Sequence, residues 1–159
     1  MEEVFDNLHV GADRSCNLSS GEWAVVHACK HPCHQRAVGY RGSLSQSHEE
    51  YLVAVRETDL YLNMVDMDRQ LSHEFTEPIV AAALDFIEEH IVSRGVLVHC
   101  NQGMSRSPAL AMLYLAKREG VIPDSTYGAA KEAFSERYPR FQPGRGVDAY
   151  LREYWTRLE

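Results

Sequence analysis

The apolar run Gly95-Val96-Leu97-Val98 leads into His99-Cys100-Asn101-Gln102-Gly103-Met104-Ser105-Arg106-Ser107, and Pro108 to Lys117 follows as a helical pattern. The run is short, rich in β-branched residues and suited to a buried strand. Pro108 suits a helix's first turn, where a missing N–H costs nothing. Strand, loop and helix in direct succession commit the chain to an α/β layer arrangement. The loop then lies where such folds gather anions, between a strand's C-terminal end and a helix N-terminus.

The loop's residue types fit a tetrahedral oxyanion. Backbone N–H groups of 101–106 can curl into a nest around it. Gly103 permits a tight turn, and Arg106 can close the ring with a planar two-pronged contact. Cys100 stands where such a nest would centre. The positive field that holds an oxyanion also favours a thiolate, the nucleophilic form of cysteine.

Together, His99 and the Cys-x5-Arg of Cys100 to Arg106, followed by Ser107 and Pro108, resemble the signature of the cysteine-dependent protein tyrosine phosphatases. The Ser-Arg-Ser-Pro ending resembles the dual-specificity subgroup. The likeness runs from about residue 51 onward and is less obvious over the first fifty residues. It implies that Cys100 attacks a phosphate monoester while Asn101, Gln102, Gly103, Met104, Ser105 and Arg106 hold the phosphate. His99 would orient the loop, Ser105 would be structural, and Ser107 would assist breakdown of a cysteinyl phosphate. No cofactor is implied.

In the family an Asp on a preceding loop donates a proton to the leaving oxygen and later takes one from water. Two stand here, Asp66 and Asp68. Asp68 is 32 positions before Cys100, about the family's spacing, and ends the stretch Tyr61 to Asp68. Asp68 is the favoured acid, and Asp66 stays open. The family often carries Pro-Asn downstream to brace the loop. Gln142-Pro143-Gly144-Arg145 stands here, which leaves the brace open.

With 159 residues, the chain has the length of one domain, 1–159. Its net charge of −7 argues against nucleic acid, membrane surfaces and polyanionic substrates. Similar enzymes that act on inositol phosphates often carry Lys or Arg in the loop. Asn101, Gln102 and Met104 are neutral, so the resemblance implies a phosphoprotein substrate, with a lipid, RNA 5′-end or metabolite phosphate, or a phosphate-binding module, as the alternatives. The acidic Met1-Glu2-Glu3 lacks a following apolar region, so no secretory signal is expected, and no run is long enough to span a membrane. A nucleophilic Cys100 must stay reduced, which fits a cytoplasmic location. The sequence leaves oligomeric state and residue preference open.

The expected fold is a single α/β domain, with a central, mostly parallel sheet of four to five strands flanked by helices. Strands are expected at Val4–Ala12 (an outer one), Trp23–Ala28, Leu52–Val55 and Asp59–Val65, besides the one before Cys100. Helices are expected over Thr76–Ser93, with Thr76 as cap, after the loop, from Asp124 or Ser125 to Arg137, and over 146–158. Periodicity fails from Cys29 to Glu50, which reads as a long loop. His27, Cys29, His31, Cys33 and His34 cluster there, but no second ligand pair stands at a zinc spacing. A loop at the substrate rim with a buried cysteine is the favoured reading, with no metal.

Overall fold

The computed structural model describes residues 1–13 and 22–159. Cys16, one of the four cysteines in the sequence, lies outside the described residues. Six strands form one sheet: β1 (Glu2–Phe5), β2 (Leu8–Gly11), β3 (Trp23–His27), β4 (Val53–Arg56), β5 (Asp59–Leu62) and β6 (Gly95–His99). Their order across the sheet is β1-β2-β6-β3-β5-β4. The inner four run parallel, and each edge strand pairs antiparallel with its neighbour.

The sheet is larger than expected because each end folds back as a hairpin. Val4 to Ala12 is two strands rather than one, turned at Asn7, whose φ of 67° is left-handed. The second of them, β2, is an inner strand beside β6. On the far edge Glu57, with φ 54°, turns β4 into β5.

β3 and β6 are buried on both faces, as parallel strands must be when helices cover them. Val96 and Val98 join the main apolar core, while Leu97, alternate to them, is buried on the opposite side. Register carries the functional residues into one row. Gly11 pairs with His99, His99 with His27, and His27 with Tyr61, all at the strands' C-terminal ends.

Among the described residues five α-helices accompany the sheet: α1 (Gln35–Val38), α2 (His73–His90), α3 (Arg106–Tyr114), α4 (Tyr127–Arg137) and α5 (Arg145–Tyr154). α2 starts three residues earlier than the capping pattern suggested. Ser72 occupies the cap position, and Thr76 is inside the helix and buried. Its apolar positions Ile79, Val80, Ala83, Leu84 and Ile87 fill the core. α3 continues through a wider turn, Leu115–Glu119, to the left-handed Gly120. α4 begins at Tyr127, because the Thr126 hydroxyl accepts from the backbone N–H of Ala129 at 3.1 Å. A short turn, Trp155–Arg157, follows α5. The expected loop from Cys29 to Glu50 contains a wide turn, Lys30–His34, running into α1. Among the described residues no helix is long and apolar enough to cross a membrane.

Candidate active site

The row of strand ends opens into a pocket of about 190 Å³ lined by Asp66, Cys100, Asn101, Gln102, Ser105 and Arg106. Cys100 leaves β6 directly, is buried, and donates its backbone N–H to Gly11 O at 3.3 Å. The Ser107 hydroxyl is 3.1 Å from Cys100 Sγ and 3.3 Å from Gly11 O. Arg106 is the first residue of α3, so the loop empties onto a helix N-terminus, where orphan N–H groups and the dipole favour an anion.

Two sides of the Arg106 guanidinium are anchored. Nη1 donates to Met64 O at 3.0 Å and Nη2 to Asn101 Oδ1 at 2.7 Å. Nε is buried, and no described residue accepts from it. A buried donor left unpaired costs about 1–3 kcal/mol, and an oxygen of a tetrahedral anion would remove that cost.

Asn101 therefore acts through Arg106. Its amide also donates to His31 O at 3.0 Å and to the Asp13 carboxylate at 3.3 Å. Gln102 is exposed at the rim, and Met104 is half-buried. Gly103 has φ 70°, and a Cβ there would be 3.0 Å from Gly11 O, so both turn and close packing call for glycine.

The loop is braced from the C-terminal side without a Pro-Asn pair. Tyr138 donates its hydroxyl to Gly103 O at 2.6 Å, Gln142 its N–H to Met104 O at 2.8 Å, and Gly144 its N–H to Ser105 Oγ at 2.9 Å. Ser105 is thus a buried anchor.

Of the two candidate carboxylates, Asp66 is among the residues that line the pocket. Asp66 is exposed and lies against Gly144, while Asp68 is exposed and outside the lining. The segment is fixed just beyond by Gly146 N–H donating to Met67 O at 2.9 Å, so Asp66 and Asp68 stand on either side of an anchored residue.

Beneath the loop, His99 is buried with its pKa pushed down to about 4, first by burial and then by the His27 ring beside it. His27 is 2.7 Å away and reaches Asp59 with its other nitrogen at 2.8 Å. The five-residue His/Cys cluster divides. His31 bonds Gln35, and His34 bonds Tyr40 and Glu50 O, while Cys29 and Cys33 turn inward as buried thiols. Asp13, Asp59 and Tyr138 carry no signal in the sequence that ties them to the site. Each lies far from the loop along the chain, and only the fold brings them near.

No family model matches the chain. Two curated proteins are similar to about half of the chain. Human dual specificity protein phosphatase 16 is 40% identical over 83 residues, 52% of this chain. The Dictyostelium discoideum MAP kinase phosphatase with leucine-rich repeats protein 3 is 37% identical over 73 residues, 46% of this chain. The matched regions are only 12% and 8% of those proteins. Solved structures match end to end. Human DUSP28 has a TM-score of 0.64 at 17% identity, covering 99% of this chain and 96% of that one. The human tyrosine phosphatase-like serine/threonine/tyrosine-interacting protein has 0.63 at 21%, covering 98% and 95%. The chain is therefore a single α/β domain with the fold of these dual-specificity phosphatase-like structures over nearly its whole length, and about half of it is similar in sequence to part of two curated phosphatases.

Proposed function

We propose that this domain is a cysteine-dependent phosphomonoesterase acting on phosphoproteins, on phosphotyrosine and also on phosphoserine or phosphothreonine. The observation that carries this reading is a pocket lined by both Cys100 and Arg106, whose buried Nε has no partner among the described residues.

The Cys100 thiolate attacks phosphorus, and the P–O bond to the substrate breaks. The departing oxygen takes a proton from Asp66, the carboxyl group in the pocket wall. Loop N–H groups and Arg106 carry the charge on the three equatorial oxygens. Asp66, now a carboxylate, takes a proton from the water that attacks the cysteinyl phosphate, and phosphate leaves. Ser107, 3.1 Å from the sulfur, stabilises the departing thiolate by hydrogen bonding.

Support for a protein substrate comes from the surroundings. The loop side chains facing out are neutral. Met64, whose carbonyl accepts from Arg106, also lines a neighbouring cavity of about 430 Å³ together with Val65, Met67, Tyr51, Leu52 and Phe75, with Lys30 and Arg69 as its cations. Such a wall suits the side chains of a peptide better than further phosphates.

The test is hydrolysis of para-nitrophenyl phosphate by the wild type and by Cys100→Ser, with dithiothreitol and EDTA, followed by phosphopeptides. Turnover in the wild type, lost in a variant that still binds phosphate, is expected. A folded wild type that hydrolyses neither aryl phosphate nor phosphopeptides overturns the proposal.

A further inference from the structure

Behind the phosphate loop, His27 Nδ1, His99 Nε2 and Cys33 Sγ converge, all within 4.8 Å of one another and all from buried residues. The two nitrogens are 2.7 Å apart, and the sulfur is 3.9 Å from His99 Nε2. The Cys29 thiol is hydrogen-bonded to Cys33 and is within 4.8 Å of a His99 ring nitrogen. Two imidazoles and the Cys33 thiol thus meet at the end of β3 and β6, under the turn at residues 29–34, with the Cys29 thiol beside Cys33.

The hydrogen bonds of the histidine pair leave a donor missing. His27 Nε2 faces Asp59 Oδ1 at 2.8 Å, and His99 Nδ1 faces Cys100 O at 3.4 Å. Both outer partners are acceptors. Together with the contact between the rings, three hydrogen bonds are to be made. Two neutral imidazoles have two N–H groups. If the outer bonds are made, two lone pairs face each other across 2.7 Å, and a cation between them removes the conflict. Outer nitrogens held by a carboxylate and a backbone carbonyl are also the usual support of metal-bound histidines.

We propose that His27, His99, Cys33 and Cys29 form a binding site for a divalent cation of the zinc class. Metal–ligand lengths of about 2.05 Å to nitrogen and 2.3 Å to sulfur, arranged tetrahedrally, put the nitrogens about 3.3 Å apart and nitrogen and sulfur about 3.5 Å apart. The histidine pair opens by about half an ångström, and Cys33 closes by somewhat less, relative to the 2.7 and 3.9 Å seen here. Each thiol releases its proton to solvent as its sulfur binds. The two thiolates then balance the dication, which suits a buried site. Asp13, exposed and within 4.8 Å of Cys29 Sγ and a His99 nitrogen, marks the side from which an ion arrives.

The site is distinct from the phosphate pocket, and its test does not depend on turnover. Cobalt(II) serves as the probe, titrated into the Cys100→Ser protein under a phosphine reductant. One equivalent is expected to bind with a thiolate-to-cobalt charge-transfer absorption and intense tetrahedral visible bands, displaced by zinc. Cys33→Ser and His27→Gln should each remove or strongly reduce that absorption, whereas His31→Gln should keep it. Asp59→Asn, which leaves every proposed ligand in place and alters only the hydrogen bond to His27 Nε2, should weaken binding about 10–100-fold. No charge-transfer band in the folded protein, or a band unchanged in both His27→Gln and Asp59→Asn, overturns the proposal.

Discussion

Gly144 leaves room for Asp66: a Cβ on Gly144 would overlap Asp66 Oδ1 and sit 3.0 Å from its Cγ. The residue that anchors Ser105 by its N–H therefore also shapes the seat of the carboxylate. Gly144→Ala is expected to push Asp66 out of the pocket wall. Turnover of a phosphotyrosine peptide should fall much more than its KM rises, because protonation of the leaving oxygen is lost while Arg106 is untouched. Steady-state kinetics of the purified variant checks this.

Asp66→Asn should lower kcat on a phosphotyrosine peptide by about 10²–10⁴-fold. An aryl phosphate with a good leaving group should be slowed far less, since its oxygen departs without a proton. Asp68→Asn should stay near wild type on both substrates. A reversal of the two variants on the peptide would assign the acid to Asp68.

Tyr138 is almost fully buried and its hydroxyl is 2.6 Å from Gly103 O. Tyr138→Phe leaves that carbonyl without its partner. A loss of about 1–2 kcal/mol is expected, a fall in Tm of about 2–8 °C. Phosphate affinity should drop with it, because Gly103 lies within the phosphate loop. Thermal denaturation with and without phosphate measures both.

His99 has a folded pKa of about 4 against an ordinary 6.5, set first by burial. Between these values the unfolded chain holds a proton that the folded chain refuses. Its contribution to stability is whole above about pH 6.5 and is lost as pH falls toward 4, by about 3 kcal/mol. Urea denaturation in chelator from pH 7.5 to 4 should show the decline, and His99→Gln should flatten it over that window.

The central unit was legible because its signals are local. Val96 to Val98, Gly103, Arg106 and Pro108 each carry their meaning within one strand, loop and helix. The strand preceding Cys100, the helix following it and the parallel core around them are where the pattern put them. Asn7 and Glu57, neither of them glycine, take left-handed turns, so the hairpins they make left little trace in the sequence. Counting along the chain favours Asp68, whereas the residue that lines the pocket is Asp66. The Gly146 N–H on Met67 O pins the residue between them, a contact between distant parts of the chain that spacing does not carry. The brace by Tyr138, Gln142 and Gly144 uses two backbone N–H groups, which any sequence supplies.

Gly11, His99, His27 and Tyr61 share one row of the sheet. The parallel strands act as a ruler whose zero mark is the phosphate loop. Side chains alternate faces along a strand, so a slip of one residue would send His99 to the wrong side of the sheet while leaving most of the hydrogen-bonded ladder formed. Deleting one residue within β6 would therefore take away the chemistry before the fold, whereas the connections on the sheet's outer edges are free to change length.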